Sequence, residues 1–415
     1  MRRILLAALL LSLATGAMAQ SATDDSDLFP EDEQVLRFGT ADRNVTLSPY
    51  LQYDFGPVAA SDGLSDGYDD RLRRARLYVF ANFDALSGTF AINLDEDAYE
   101  SFPIQYAFLS LDLSDTYTVK VGQQDQPFSL QDMSGSRFLP FAEAGQSASL
   151  IPGDNLGVAL YRYGDRSSLA GGIYGGDVNT GASDEGLALT GRATWAPIYE
   201  EERITRGGDA TKNGVGTKRV EQLLHLGLGL DARWNVRQPF SFAGGAGSSL
   251  IDGSLASTQS FTAADTYALN AEIARSWGSF SVQGEWTGLY LDGRNTDGSP
   301  ASGLAHGGYA YATYFLTGER RSYSATSGTF GRVVPKNAID EGGFGAVEVG
   351  ARIDYLDLTD LGPDAGAQVG ASFVVNDYLT KRLRATADYS YTRVVDGPAD
   401  GTDVHALTFR LQFAY

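Results

Sequence analysis

The sequence predicts an all-β chain, a transmembrane antiparallel β-barrel of about sixteen strands with a constriction loop folded into its lumen. Three observations lead there. The C-terminal stretch His405 to Tyr415 alternates without a break, with Leu407, Phe409, Leu411, Phe413 and Tyr415 on one side and Thr408, Arg410, Gln412 and Ala414 on the other. Successive side chains of a strand point to opposite faces, so this strand is apolar on one face and polar on the other. A soluble edge strand of that kind would invite aggregation, whereas a strand between lipid and water requires it. The same alternation recurs from Val45 onward, and no stretch with helical period competes. The N-terminus carries an export signal, which fixes the compartment.

That signal comes first in the chain. Met1-Arg2-Arg3 is basic, Ile4 to Ala14 is apolar, and Ala17-Met18-Ala19 offers small residues before Gln20. Residues 1–19 therefore read as a secretory signal peptide cleaved after Ala19. The apolar run is well short of the roughly 20 residues of a spanning helix, and no later segment supplies one. Residues 20–44 include Asp24, Asp25, Asp27, Glu31, Asp32 and Glu33 and read as an acidic periplasmic lead-in to a barrel domain over 45–415.

Composition agrees. The chain has no cysteine, which excludes disulfides, thiolate metal sites and cysteine nucleophiles. A mean hydropathy of −0.18 with 43% hydrophobic residues looks soluble, but a barrel gives this average because only alternate residues meet lipid. Its 22 tyrosines suit interfacial girdles and its 49 glycines suit turns and sheet bends.

The strands follow in order. Arg71 to Phe83 places Ala75, Leu77, Val79, Ala81 and Phe83 outward, with Arg74, Arg76, Tyr78 and Asn82 inward. Gly88 to Asp95 sends Phe90, Ile92 and Leu94 outward and Asn93 and Asp95 inward. Ile104 to Leu111, Tyr117 to Val121 (with Lys120 inward), Leu187 to Trp195 and Leu224 to Trp234 continue the pattern. So do Tyr267 to Ile273, Phe280 to Trp286, Val347 to Tyr355 and Leu383 to Tyr391. Gly176 to Gly186, Glu200 to Val220, Gln238 to Ala264 and Asp292 to His306 are long and polar or glycine-rich, as extracellular loops are. Gln124 to Asp154 differs, because it carries Phe128, Leu130, Met133, Phe138, Leu139, Phe141, Leu150 and Ile151. A connection of that length is rarely idle, and its apolar content suits a segment folded into the lumen to narrow it.

Several blocks in order then resemble the phosphate-selective porin O and P family. They are Arg73-Arg-Ala-Arg-Leu77, Val121-Gly-Gln-Gln-Asp-Gln-Pro-Phe-Ser-Leu130, Ser134-Gly-Ser-Arg137, Phe141 and Asn155-Leu-Gly-Val158. Tyr314-Phe-Leu-Thr-Gly-Glu319, Gly328-Thr-Phe-Gly-Arg-Val333, Pro335-Lys336, Gly342-Gly343-Phe-Gly-Ala346 and Tyr355-Leu-Asp-Leu358 complete the set. The resemblance implies a sixteen-stranded, trimeric porin of the bacterial outer membrane, with an inward third loop and an arginine-lined pore. The aromatic C-terminus is similar to the signal read by the outer-membrane assembly machinery. Lipid, lipopolysaccharide and small anionic solutes are the other expected partners, and no nucleic acid is.

Carried over residue by residue, the family's early arginine cluster falls on Arg73, Arg74 and Arg76, and its constriction-loop arginine on Arg137. Alternation alone puts Arg74, Arg76, Lys120, Arg192 and Arg233 in the lumen. Guanidinium groups bind phosphate oxygens bidentately and stay charged, so these are the candidate anion-binding residues. Asn93 stands where the family often has an inward aspartate, with Asp95 beside it. Asp125 departs from the pattern, since family members commonly carry a lysine there. The inward residues also include Arg352, Arg384 and Arg410 against Asp54, Asp231, Glu272, Glu285, Glu348, Asp354 and Asp388, and rings of one charge set selectivity. No sign dominates.

Enzyme motifs are missing. His225, His306 and His405 have no metal-ligand spacing, and there is no phosphate loop, serine elbow or zinc-helix motif, so neither cofactor nor metal is expected. The expected function is a passive, water-filled diffusion channel favouring small anions such as phosphate. The alternatives are a weakly selective or cation-preferring porin and, in another class, a secreted β-rich binding protein or adhesin.

Overall fold

In a computed structural model the chain is described over residues 36–40, 42–61, 67–95, 103–180, 185–204 and 217–415. The expected signal peptide and most of the acidic lead-in lie outside the described residues. One antiparallel sheet of 17 strands contains the short strand Leu36–Gly39, which only flanks the wall, and sixteen strands that close on themselves. In chain order these are β1 (Arg43–Ala60), β2 (Gly67–Phe83), β3 (Leu86–Asn93), β4 (Ile104–Ser114), β5 (Tyr117–Gln124) and β6 (Asn155–Tyr163). They continue with β7 (Ser167–Tyr174), β8 (Leu187–Ile204), β9 (Thr217–Val236), β10 (Phe261–Trp277) and β11 (Phe280–Asn295). The last are β12 (Pro300–Phe315), β13 (Ala346–Asp357), β14 (Ala367–Tyr378), β15 (Leu383–Asp396) and β16 (Asp403–Ala414). This closure sets aside a two-sheet sandwich.

The closing strand sits as its pattern demands. β16 pairs with β1 from Tyr50↔Ala414 to Ala60↔Val404, presenting Phe409 and Leu411 outward and burying Thr408, Arg410 and Gln412. Tyr415 follows Phe413, the two rings 6.4 Å apart, but it is covered. Its backbone N–H donates to the Pro49 carbonyl at 3.1 Å, its ring lies 4.0 Å under the Arg382 guanidinium, and it is buried. The chain end is thereby stapled to β1 rather than left against lipid.

Strand length divides the wall in two. β3, β5 and β7 have 8 residues each, β6 has 9 and β4 has 11, whereas β8 has 18 and β9 has 20. Antiparallel order also assigns each connection to an end. Asp84 and Ala85 make the turn between β2 and β3, with Asp84 at φ 57, and Gly278 at φ 59 begins the turn between β10 and β11. The β8–β9 connection opens at this short-turn end, so Glu200 to Val220 is corrected from the extracellular side expected above. Asp292 to His306 is mostly strand, with β11 and β12 running to Asn295 and from Pro300.

Among the described residues, three long connections fold inward instead of hanging outside. The β5–β6 loop buries Phe128, Leu130, Phe141 and Leu150. Gly229 on β9 makes room for it, since a Cβ there would collide with the Phe128 carbonyl. The β9–β10 connection packs Ala246, Leu250, Ile251 and Leu255 against Val58, Val394, Val404 and Ala406. The third lies at the short-turn end. Between β12 and β13, the small hairpin Tyr323–Ser324 with Thr329–Phe330 packs Tyr323, Ala325 and Phe330 on Leu130, Val220 and Leu223. Burial of this apolar surface, at about 25 cal/mol per Å², is what holds such segments inside a wet barrel.

Candidate functional site

The β5–β6 loop is held by hydrogen bonds that the far wall supplies. Backbone N–H groups of Leu130 and Gln131 donate to the Glu285 carboxylate at 2.9 and 2.8 Å, and that of Ala142 donates to Asp388 at 2.7 Å. In the reverse sense Arg384 donates to the Leu139 carbonyl at 2.8 Å, Asn376 to that of Pro140 at 2.8 Å and Arg352 to that of Glu143 at 2.7 Å. Gln412 reaches the Arg137 carbonyl at 3.0 Å, and Arg410 donates to that of Ala142. A loop backbone buried without such partners would leave costly unsatisfied groups. The far-wall cations that alternation places in the lumen are thus occupied.

Arg410 shows this best. It is sealed between Asp54, at 2.6 Å, and Glu143 on the loop, at 3.0 Å. Glu143 also takes two bonds of 2.9 Å from Arg73. Burial works to raise the Glu143 carboxyl, but the two arginines overcome it and hold the group well below the usual carboxylate range.

The opposite wall carries the arginine row. A β-bulge opposite Gln52 and Tyr53 inserts one extra residue, Arg73, between Arg74 and Leu72. The extra residue shifts the alternation, so Arg71, Arg73, Arg74 and Arg76 all border one cavity of about 3400 Å³. Alternation alone had placed only Arg74 and Arg76 there. Their partners differ. Arg71 meets Asp252 from the β9–β10 connection and Arg73 meets Glu143, whereas Arg74 bonds only the hydroxyl of Ser136 at 3.2 Å and Arg76 has no carboxylate partner among the described residues. Arg137 comes from the loop and lies 4.9 Å over the Tyr78 ring. Lys120 lies 4.4 Å over the Tyr161 ring and also borders the cavity.

Of the remaining sequence candidates, Arg192 also borders the cavity, whereas Arg233, Asn93 and Asp95 do not. Arg192 is buried, paired with Glu272 at 2.8 Å, and donates to the Gly328 carbonyl at 2.8 Å. Glu272 also meets His225 at 2.9 Å, whose other ring nitrogen lies 2.7 Å from the Tyr323 hydroxyl. This network latches the short-turn-end hairpin to the wall. Arg233 is spent on the Gly175 and Glu185 carbonyls at 3.1 and 3.0 Å and does not border the cavity. Asn93 faces Gln105 at 3.4 Å, and Asp95 lies past the end of β3; neither borders the cavity.

An acidic patch adjoins the arginine row. Asp125, Asp132 and Asp154 border the same cavity. Tyr106 donates to both Asp125 oxygens at 2.8 and 2.9 Å, and Gln105 donates to Asp154. Burial and the neighbouring Asp125 charge push the Asp154 carboxyl up. Burial, then Asp125 and Glu285, raise Asp132 to about 8. The site can therefore offer an oxyanion two guanidiniums that no carboxylate pairs directly, beside an acidic patch in which burial raises Asp132 and Asp154.

The family model for phosphate-selective porin O and P matches residues 45–415. An uncharacterised protein of Caulobacter vibrioides is 27% identical over 352 residues, covering 80% of this chain and 65% of that protein. Porin O of Pseudomonas aeruginosa is 23% identical over 315 residues, covering 72% of this chain and 70% of that protein. Among solved structures, the trimer form of OmpT, an outer-membrane protein of Vibrio cholerae, aligns with a TM-score of 0.53 at 11% identity, over 89% of this chain and 99% of that one.

Proposed function

Because the chain belongs to the phosphate-selective porin O and P family, we infer that it forms a passive, water-filled channel through the bacterial outer membrane that favours small anions, phosphate among them. The observation that carries this reading is the pair Arg74 and Arg76, which face the cavity while Arg71 and Arg73 are paired with acids. A planar guanidinium that is not neutralised offers two parallel donors to an oxyanion and remains charged at any working pH. The inward loop brings the solute close to both. Family and fold point to a channel rather than a catalyst.

The barrel assembles as a homotrimer in this reading, on the strength of its likeness to the trimer form of OmpT. Its outward apolar band, with Leu109, Val158, Ile173, Leu228 and Phe373 exposed, meets lipid and lipopolysaccharide. Delivery there is by the signal peptide and the outer-membrane assembly machinery.

One observation favours a weakly selective pore instead: Asp125 and its acidic neighbours stand beside the arginines. Block of chloride current by inorganic phosphate decides between them. With charged hydrogen bonds at about 1.5–3 kcal/mol, Arg74→Ala and Arg76→Ala should each weaken the block roughly tenfold or more. Chloride current indifferent to phosphate in the unsubstituted channel would remove the phosphate reading.

A further inference from the structure

The arginine row is continued along the wall by something an ionic pore does not need. On β2 Tyr78 and Phe80 follow Arg76 at alternate positions, on β4 Tyr106 and Phe108 occupy the same levels, and on β6 Tyr161 and Tyr163 extend the row. All six border the cavity. Their rings form steps. Tyr78 and Phe80 stack at 5.9 Å with 7° between planes, Tyr78 and Tyr106 are 6.1 Å apart, Tyr106 and Phe108 are 6.1 Å apart, and Tyr161 and Tyr163 stack at 6.0 Å.

The strands between them are cut back to small side chains. Tyr78 and Phe80 register with Ala91 and Thr89 of β3, and these in turn with Tyr106 and Phe108. Phe108 registers with Gly122 of β5, and Tyr161 with Thr118. Rings alternating with small residues leave shallow grooves along the wall. Lys120 stands among them, 5.3 Å over Phe108 and 4.4 Å over Tyr161. A structural role explains part of this, because Tyr78 and Tyr161 are buried. Phe80 also packs on the cluster of Tyr50, Tyr78 and Ala91, yet it and Phe108, which have no hydroxyl, stay only half-buried and border the water-filled cavity, with no inward-folded apolar segment in that cluster.

We propose that this aromatic track, running from Arg74 and Arg76 to Lys120, is a binding path for phosphate esters of ring compounds. The phosphate is taken by the guanidiniums, and the ring, aromatic or sugar, is taken by the stepped faces. The inference rests on the anion-channel reading and adds the part of the solute beyond the phosphate. Charge complementarity selects an anion, and ring faces in an aqueous lumen reward only a solute with a flat apolar side.

The test is block of chloride current through the purified barrel by four probes: inorganic phosphate, methyl phosphate, phenyl phosphate and glucose 6-phosphate. Phenyl phosphate should block at roughly tenfold lower concentration than methyl phosphate, the ratio two ring contacts supply. Glucose 6-phosphate distinguishes a sugar from an aromatic ring as the preferred occupant. Phe80→Ala with Phe108→Ala should erase the preference for the ring and leave block by inorganic phosphate as it was. Phe80→Leu with Phe108→Leu, which keeps apolar bulk in the wall, should do the same if the alanine pair fails to fold. Equal block by methyl and both ring-bearing phosphates overturns the track alone. A ring preference that survives the substitutions also overturns it. No block by any of the four overturns the anion reading and the track together.

Discussion

The low wall, made of the long β2 and the short β3 to β7 beside it, and the high wall, β8 to β16, both send arginines into the lumen, and they use them for opposite purposes. On the high wall Arg192, Arg352, Arg384 and Arg410 are buried and bonded to inward-folded segments. On the low wall Arg74 and Arg76 stand half-buried at the edge of the cavity, and no ion pair to a carboxylate among the described residues ties them. A lumenal arginine is therefore a pore residue only where no folded-in carbonyl or carboxylate claims it. The high wall shapes the channel, and the low wall meets the solute.

The largest expected effect breaks the high wall. Arg410→Ala leaves Asp54 buried without its cation and frees the Ala142 carbonyl, so it should cost about 3–5 kcal/mol, as breaking a buried ion pair does. Thermal unfolding in detergent should fall accordingly, and single-channel conductance should rise as the loop loosens. An unchanged melting temperature would mean that the loop is held by packing alone.

A smaller effect sharpens the low wall. Asp132, raised to about 8 by burial and then by Asp125 and Glu285, is mostly neutral below that pH and charged above it. The anion-to-cation permeability ratio should therefore decline as pH rises from 7 to 9, a range chosen to span the roughly one unit either side of the midpoint over which a group changes charge. Asp132→Asn should flatten the profile, and a ratio that rises with pH would exclude the group as its source. The smallest effect lies outside both walls. Arg43→Ala removes the exposed Arg43–Asp84 pair at the short-turn end and should change neither stability nor conductance measurably.

Much of this division was hidden from the sequence for physical reasons. Alternation locates a side chain on a face, and it did so for Arg74, Arg76, Lys120 and the whole of β16. It breaks at a bulge, so alternation does not place Arg73 and cannot foresee its tie to Glu143. It also says nothing of partners. Arg192 and Arg233 face inward as read, yet their bonds to Gly328, Gly175 and Glu185 depend on connections far away in the chain. The apolar content of Gln124 to Asp154 betrayed an inward loop. The comparable signal in Tyr323, Ala325 and Phe330 was diluted by serine, threonine and glycine, and that hairpin went unseen.

The reversal potential across a KCl gradient tests the two-wall account most directly. The channel should be anion-selective, and Arg74→Ala with Arg76→Ala should move the potential toward zero while changing stability by no more than the small range expected of substitutions away from buried pairs, about 0.5 kcal/mol either way. A cation-selective potential, or an anion-selective one indifferent to that double substitution, would contradict it.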